Sequence, residues 1–287
     1  MICSLCPRKC NAKRTAEDSF SGFCRSPENP KIARYGLHFW EEPPISGKNG
    51  SGTIFFSGCS LSCVYCQNYE ISRGKKGETV SVGRLAEIFA ELEEKGAHNI
   101  NLVTADHYCT AVRKALEIYR PKIPVLLNTS GYITTKQLEL LGDFIDIYLV
   151  DFKYISPDRA KKYSSAEDYP QVAQKAIDHM IAKQPECVFD KDGILQKGVI
   201  IRHLLMPLAT NEAISVFDRV LEKYPKAYFS LMAQYIPVGE LESCPEINRK
   251  ITKREYEKVI SHVAASGFEN CFVQDLSSAD RKFIPKF

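Results

Sequence analysis

No apolar run in this sequence is long enough to span a bilayer, and the opening Met1-Ile2-Cys3-Ser4-Leu5-Cys6-Pro7 has no apolar signal core. These absences predict a cytoplasmic protein with no membrane partner. A charge excess is missing too. The net charge is +3, with acidic and basic residues interleaved throughout, so nothing here forms a nucleic-acid footprint. There is no internal repeat and no low-complexity segment. With 44% hydrophobic residues over 287 positions, the chain can bury a full core, as one large domain or one domain with a small appendage.

Cysteine is what the chain has in abundance. There are eleven, and in a reducing compartment they are not expected as disulfides. Seven fall in two clusters, which points to metal. Cys109, Cys187, Cys244 and Cys271 are scattered and read as small buried residues.

The first cluster lies in residues 1–49, which read as a Cys-rich metal-binding segment and linker. Cys3, Cys6, Cys10 and Cys24 give the spacing C-x2-C-x3-C-x13-C. Four thiolates in two nearby groups make a closed metal site. The segment has too few apolar residues to fold alone, so a bound metal would supply the missing free energy. A structural zinc and an auxiliary iron–sulfur cluster both fit. Residues 13–19 look like a solvated loop.

The second cluster is Cys59, Cys63 and Cys66, spaced C-x3-C-x2-C. Three thiolates on one short loop suit a [4Fe-4S] cubane better than a lone ion. Each thiolate binds one iron, and the fourth iron is left without a protein ligand. Structural zinc and structural clusters take four protein ligands, so a set of three is an open, working position.

Residues 50–287 read as one domain of alternating strands and helices. Strands are expected at 53–57, 99–103, 125–127, 145–152, 199–205, 227–232 and, as a final one, 268–273. Helices are expected at 82–95, 107–119, 134–141, 171–183, 211–223 and 253–265. Strand-then-helix order implies parallel strands with helices outside. Six or so units are too few for the eight-fold barrel, which predicts an α/β fold of the open, partial (β/α)6 TIM-barrel kind. Ligands then sit at the C-terminal ends of the strands.

Several strand ends carry polar residues. Asp106, in Thr104-Ala105-Asp106-His107-Tyr108, is placed to cap the next helix or to accept from an ammonium group. His107 is a further candidate. Asn128 and Ser130 end the third strand, where an ordinary Ser-Gly turn is the bland reading. Asp151 and Lys153 alternate with Phe152, so both face the same way as the apolar Leu149. Two charges aimed into a barrel mouth are costly unless they pair or meet a ligand. Arg202 faces the opposite way to His203, which reads as a core histidine. Residues 245–252 form a loop expected to help cover the mouth, with Thr252 as the cap of the last helix.

Around the second cluster, Gly58-Cys59 opens the loop, Tyr65 precedes the last cysteine, and Gln67-Asn68 follows. This resembles the signature of the radical S-adenosylmethionine (SAM) enzymes. Residues 50–68 are similar to the activating enzymes of glycyl-radical enzymes, in particular the PflX-type branch, which is pyruvate formate-lyase activating-enzyme-like. The resemblance implies the radical SAM partial barrel and an oxidoreductase that cleaves SAM on a [4Fe-4S] cluster to methionine and a 5′-deoxyadenosyl radical, which then takes hydrogen from a substrate. It places Tyr65 beside adenine, and Asn128 and Ser130 near the methionine part. It sets Asp151 and Lys153 near SAM, with Lys153 neutralising the carboxylate, and Arg202 near the ribose. Asp106 stands where relatives carry a Gly-Gly-Glu run for the amino group, and Gln234 or Tyr235 contacts SAM.

The implied partners are a reductant such as flavodoxin or ferredoxin and a glycyl-radical protein. The missing ferredoxin-like insertion, the N-terminal cysteines and the Thr-Ala-Asp-His-Tyr run set this chain apart. They keep a small-molecule substrate open, such as an amino acid or a phosphorylated metabolite. A zinc-bound structural or RNA-binding protein is the alternative of another class, and the balanced charge counts against it.

Overall fold

The computed structural model describes residues 2–17, 22–239, 241–283, 285 and 287, with Arg281 by its backbone alone. The described chain begins with a small antiparallel ribbon, β1 (Ile2–Cys3) and β2 (Ala12–Lys13), in which Cys3 faces Ala12. Lys13, expected in a loop, is therefore in a strand, while Asp18 and Ser19 of that loop lie outside the described residues. Next come β3 (Lys31–His38), α1 (Pro43–Ser46), β4 (Ser51–Phe56), α2 (Tyr69–Ser72) and β5 (Glu78–Thr79).

Alternation then sets in: α3 (Val82–Glu94), β6 (Ile100–Val103), α4 (Cys109–Ile118), β7 (Val125–Thr129), α5 (Thr135–Leu141), β8 (Ile147–Asp151), α6 (Pro157–Ser164), α7 (Tyr169–Lys183), β9 (Val188–Phe189), β10 (Leu195–Leu204), α8 (Thr210–Lys223), β11 (Tyr228–Met232), α9 (Lys253–Ala265) and β12 (Cys271–Val273). Local chemistry sets the helix starts. Ser81 caps α3, and Thr134 with Gln137 and Thr252 with Glu255 form reciprocal capping boxes on α5 and α9. Helix α6, absent from the sequence reading, buries only Ala160, Tyr163 and Ser164, too short a stripe to show as periodicity.

The main sheet runs β12-β11-β10-β8-β7-β6-β4-β3-β5, with β9 paired to β10. From β4 to β12 every neighbouring pair on this path is parallel. The result is a mixed α/β fold on a parallel sheet. The final expected strand is present but shortened to Cys271–Val273, and the antiparallel β3 and β5 extend the other edge. No helix among the described residues is long and apolar enough to cross a membrane.

The pleat sorts the strands into two faces. Ile54, Leu102, Leu127, Val150 and Ile201 face the helices in the large core. Leu126, Ile147, Leu149 and Ile200 face inward and pack around Ile45. That residue comes from α1, within residues 31–49, which the sequence reading assigns to the N-terminal segment. The fold has no break there: β3 pairs along β4, and α1 fills the inside of the sheet.

Candidate functional site

Above the inner apolar layer the same strands carry polar side chains. Arg202 on β10 lies in register with Asp151 on β8, and its Nε donates to Asp151 Oδ1 at 2.9 Å. Its other nitrogens donate to Asn128 Oδ1 at 2.6 Å and to Glu41 Oε2 at 3.1 Å. Glu41 Oε1 in turn accepts from Asn101 at 3.1 Å and Asn128 at 3.2 Å. Lys153 closes the network on Asp151 Oδ2 at 2.6 Å. One carboxylate bonding to β6, β7 and β10 at once requires a curled sheet.

Charge pairing decides the protonation here. Burial works against an ionised Asp151, but Arg202 and Lys153 outweigh it and hold the carboxyl below the usual carboxylate range. Burial likewise opposes the charges on Lys153 and Arg202, and Asp151 keeps both pKa values above normal. Glu42, buried beside them, is pushed up by its burial, against the pull of Arg202.

Glu41, Asn128, Asp151, Lys153 and Arg202 line one side of a cavity of about 470 Å³. The other side is the cysteine loop that follows β4. Gly58 turns the chain at φ 85°, where an added Cβ would stand 2.0 Å from Ser26 Oγ and 2.5 Å from the Cys24 carbonyl. Cys59 Sγ accepts from the Leu61 and Ser62 amides at 3.4 and 3.5 Å. Cys63 Sγ accepts from the Ser164 hydroxyl at 3.1 Å, and that oxygen bonds Tyr154, which bonds Tyr65. Cys59, Cys63 and Cys66 all line the cavity.

Burial, reinforced by Cys63 and Cys66, pushes the Cys59 thiol up to about 12. Thiolates this close repel one another, so three on one loop ionise together only with positive charge among them, and the donor set fits a cationic metal cluster. Among the described residues, no three Cys, His, Asp or Glu side chains converge on one point as bonds to a single ion require.

Of the residues singled out from sequence, Tyr65, Asn128, Ser130, Asp151, Lys153, Arg202 and Gln234 line this cavity with the three cysteines. Asp106 and Tyr235 are not among the lining residues. Asp106 is buried, makes no capping bond, and leaves both oxygens outside hydrogen-bond geometry. Burial pushes its carboxyl up to about 7, with the Thr129 hydroxyl as a counterweight. The residue opens a 3-10 turn at Asp106–Tyr108 that precedes α4 and does not cap the helix. Tyr235 is turned away because its hydroxyl donates to the Ile247 carbonyl at 2.7 Å. That bond also fixes the 245–252 loop, which does not line the cavity. Gln274, Ser278, Asp280, Phe283 and Pro285 line the mouth instead, and Phe283 meets Trp40 edge-on at 4.9 Å.

The sequence reading missed Glu41, Glu42, Tyr154 and Ser164. A Glu-Glu-Pro-Pro run outside any periodic element gives no signal for Glu41 and Glu42. Ser164 could have been sought as a donor to a clustered thiol.

Comparison with known proteins adds the following. The model of the radical SAM superfamily matches residues 53–190. An uncharacterized protein of Methanocaldococcus jannaschii is 30% identical over 268 residues, spanning 90% of this chain and 73% of that protein. The structure of Streptococcus suis SuiB bound to its precursor peptide SuiA overlays with a TM-score of 0.50 at 14% identity, over 77% of this chain and 48% of SuiB. SuiB bound to S-adenosylmethionine gives a TM-score of 0.48 at 15% identity, over 78% of this chain and 47% of SuiB. The first overlay is a likeness of fold, and the chain spans about half the length of SuiB.

Proposed function

The chain belongs to the radical SAM superfamily, and from that premise we propose that it is an enzyme whose Cys59, Cys63 and Cys66 hold a [4Fe-4S] cluster and whose cavity binds SAM. The observation that carries this reading is one cavity lined both by the three clustered thiols and by Lys153, Asp151, Arg202 and Asn128. When bound, the cluster supplies the electron that cleaves SAM reductively to methionine and a hydrogen-abstracting 5′-deoxyadenosyl radical.

The chain's own residues hold, orient and shield. Lys153, anchored by Asp151, presents an ammonium to a carboxylate. Arg202 keeps Asp151 ionised so that this anchor holds at working pH. Asn128 and Ser130 offer hydrogen bonds to the amino-acid part of the ligand, and Tyr65 offers a ring wall beside adenine. Trp40 and Phe283 narrow the mouth against water, which a reactive carbon centre needs.

The activating-enzyme reading, with a glycine of a partner protein as the hydrogen donor, rests on the resemblance of residues 50–68. A small-molecule substrate is the second reading, favoured by a mouth already lined by Gln274, Ser278, Asp280, Phe283 and Pro285. In either case a flavodoxin or ferredoxin supplies the electron.

The test is anaerobic. The protein is reconstituted with iron and sulfide, given dithionite and SAM, and assayed for 5′-deoxyadenosine beside a Cys63→Ala control. Cleavage that disappears in the control supports the proposal. A protein that takes up no cluster and holds only zinc would sink it.

A further inference from the structure

A second set of thiols lies away from this cavity. Cys3, Cys6, Cys10 and Cys24 line one small cavity together with Arg14, Gly22 and His107. An added Cβ on Gly22 would stand 3.8 Å from Cys10 Sγ and 3.9 Å from Cys24 Sγ, so the two sulfurs share one neighbourhood. The backbone around them is wound in an uncommon way. Lys9 (φ 44°) and Asn11 (φ 51°) flank Cys10, and Arg25 (φ 52°) follows Cys24, all left-handed without being glycine. Such conformations cost on the order of 1 kcal/mol or more each and persist where the surroundings impose them. Ser62 (φ 53°), just before Cys63, is wound the same way.

His107 adds an independent sign. Its Nε2 lies 3.0 Å from the Ser57 carbonyl, which can only accept, so Nε2 carries the hydrogen. In the neutral ring, Nδ1 is then a bare lone pair. It is buried and has no hydrogen-bond partner among the described residues, and His107 is one of the residues lining the cavity of the four cysteines. Four thiols and a histidine around one void are the donor types a thiophilic metal takes, and their failure to converge on one point, as a single ion requires, favours the wider span of a cluster.

Arg8 sits between Cys6 and Cys10 and reaches the other cysteine loop. Its guanidinium donates to the Ser60 carbonyl at 2.8 Å, to Leu61 at 3.2 Å, to Ser164 at 2.7 Å, and to Ser165. Ser60 and Leu61 lie between Cys59 and Cys63, and Ser164 donates to Cys63 Sγ. We infer that Cys3, Cys6, Cys10 and Cys24, with His107 beside them, hold a second metal centre, and that this centre fixes Arg8 as the clasp on the loop between Cys59 and Cys63. Thiolate ligation is common to zinc and to an iron–sulfur cluster, and the measurement below separates the two. The clasp rests on the proposed role of Cys59, Cys63 and Cys66, whereas the second centre does not.

The full chain is purified anaerobically and analysed for iron, zinc and acid-labile sulfide. A Cys59→Ser/Cys63→Ser/Cys66→Ser variant keeps about one zinc, or about four irons with matching sulfide, and a Cys6→Ser/Cys10→Ser variant loses that quota. A triple variant with wild-type circular dichroism and neither metal overturns the second centre, whatever the first cluster does. For the clasp, Arg8→Ala keeps the N-terminal metal but releases iron from the site cluster to a chelator about ten-fold faster, the range seen when outer-shell supports are lost. Arg8→Lys recovers part of that retention, and the Cys6→Ser/Cys10→Ser variant matches Arg8→Ala. Wild-type iron release and an unchanged electron paramagnetic resonance spectrum in Arg8→Ala overturn the clasp.

Discussion

Two buried polar regions meet at the cysteine loop, and they are built on opposite terms. In the barrel mouth Arg202, Asp151, Lys153, Glu41 and Asn128 satisfy one another across three strands and the segment after β3. In the seam below the N-terminal segment, the consecutive Asp106, His107 and Tyr108 leave the Asp106 oxygens, His107 Nδ1 and the Tyr108 hydroxyl without partners, while the neighbouring Ser26 hydroxyl turns to the Cys24 carbonyl at 2.9 Å. What that run does make is contact with the N-terminal segment. Arg14 donates to the His107 carbonyl at 2.8 Å and lies 5.3 Å from the Tyr108 ring centroid. The contrast teaches that the run at 104–108 changes role along its length: Thr104 lines the main cavity, while His107 and Tyr108 carry the cysteine-rich segment.

Breaking the closed network is expected to have the largest effect. Arg202→Met leaves Asp151 and Glu41 buried without their shared cation. Losing one partner of a buried charge pair costs about 3–5 kcal/mol, read as a fall in the urea midpoint at constant slope. A loss under about 1 kcal/mol would mean that water enters the network.

Gly58→Ala acts where the two regions touch. The new methyl would meet Ser26 Oγ and the Cys24 carbonyl on a backbone at φ 85°, at a cost of about 2–3 kcal/mol in strain and displacement. Iron content per chain should fall along with stability. An unchanged variant would show that the N-terminal segment can move off the loop freely.

Much of this was legible in the sequence, and the rest was hidden for physical reasons. The Asp-x-Lys pair and Arg202 could be found because a pleat of period two carries a charge inward only at set positions. The cysteine loop declared itself by spacing. Glu41 was hidden because no periodicity marks a segment that threads the inside of a sheet. Asp106 was not legible as a cap because sequence gives its distance from a helix start but not the 3-10 turn that comes between. The lining of the mouth by Gln274, Ser278, Asp280, Phe283 and Pro285 was hidden for a similar reason: it is set by tertiary contacts such as Trp40 with Phe283, far apart in the chain.

A smaller effect is expected from Asp151→Asn, and it depends on pH. Asp151 meets Arg202 from β10 and Lys153 from its own strand end, Asp106 is close enough to feel it as a like charge, and Glu41 and Glu42, from the segment after β3, share the Arg202 cation. Because the folded pKa of Asp151 is depressed, its contribution is fully present above the unfolded value of about 3.9 and is lost as pH falls through the folded value. The variant should trail the wild type by about 2 kcal/mol from pH 5 to 8, and the gap should begin to shrink below about pH 4 and close as pH falls through the folded value. A gap that does not narrow at all as the acid limb is descended would mean that geometry, not charge, made Asp151 matter.

The same substitution in the other region is expected to give the smallest change, with the opposite sign. Asp106 is more deeply buried than the mouth network, 1% exposed against 14% for the Asp151 side chain, yet among the described residues it forms no ion pair and neither oxygen is within hydrogen-bond geometry. An amide of the same shape removes the desolvation penalty of the acid and brings donors that can reach the Thr129 hydroxyl oxygen. Asp106→Asn should therefore hold or gain stability within about 1 kcal/mol, measured by thermal unfolding at pH 7.5 beside Asp151→Asn. Two isosteric changes with opposite signs would establish that partnering, and not burial, separates the mouth from the seam. A loss at Asp106 as large as that at Asp151 would mean that Asp106 has a partner when the protein carries its full complement of metals, and the seam would then have to be counted as part of a working site.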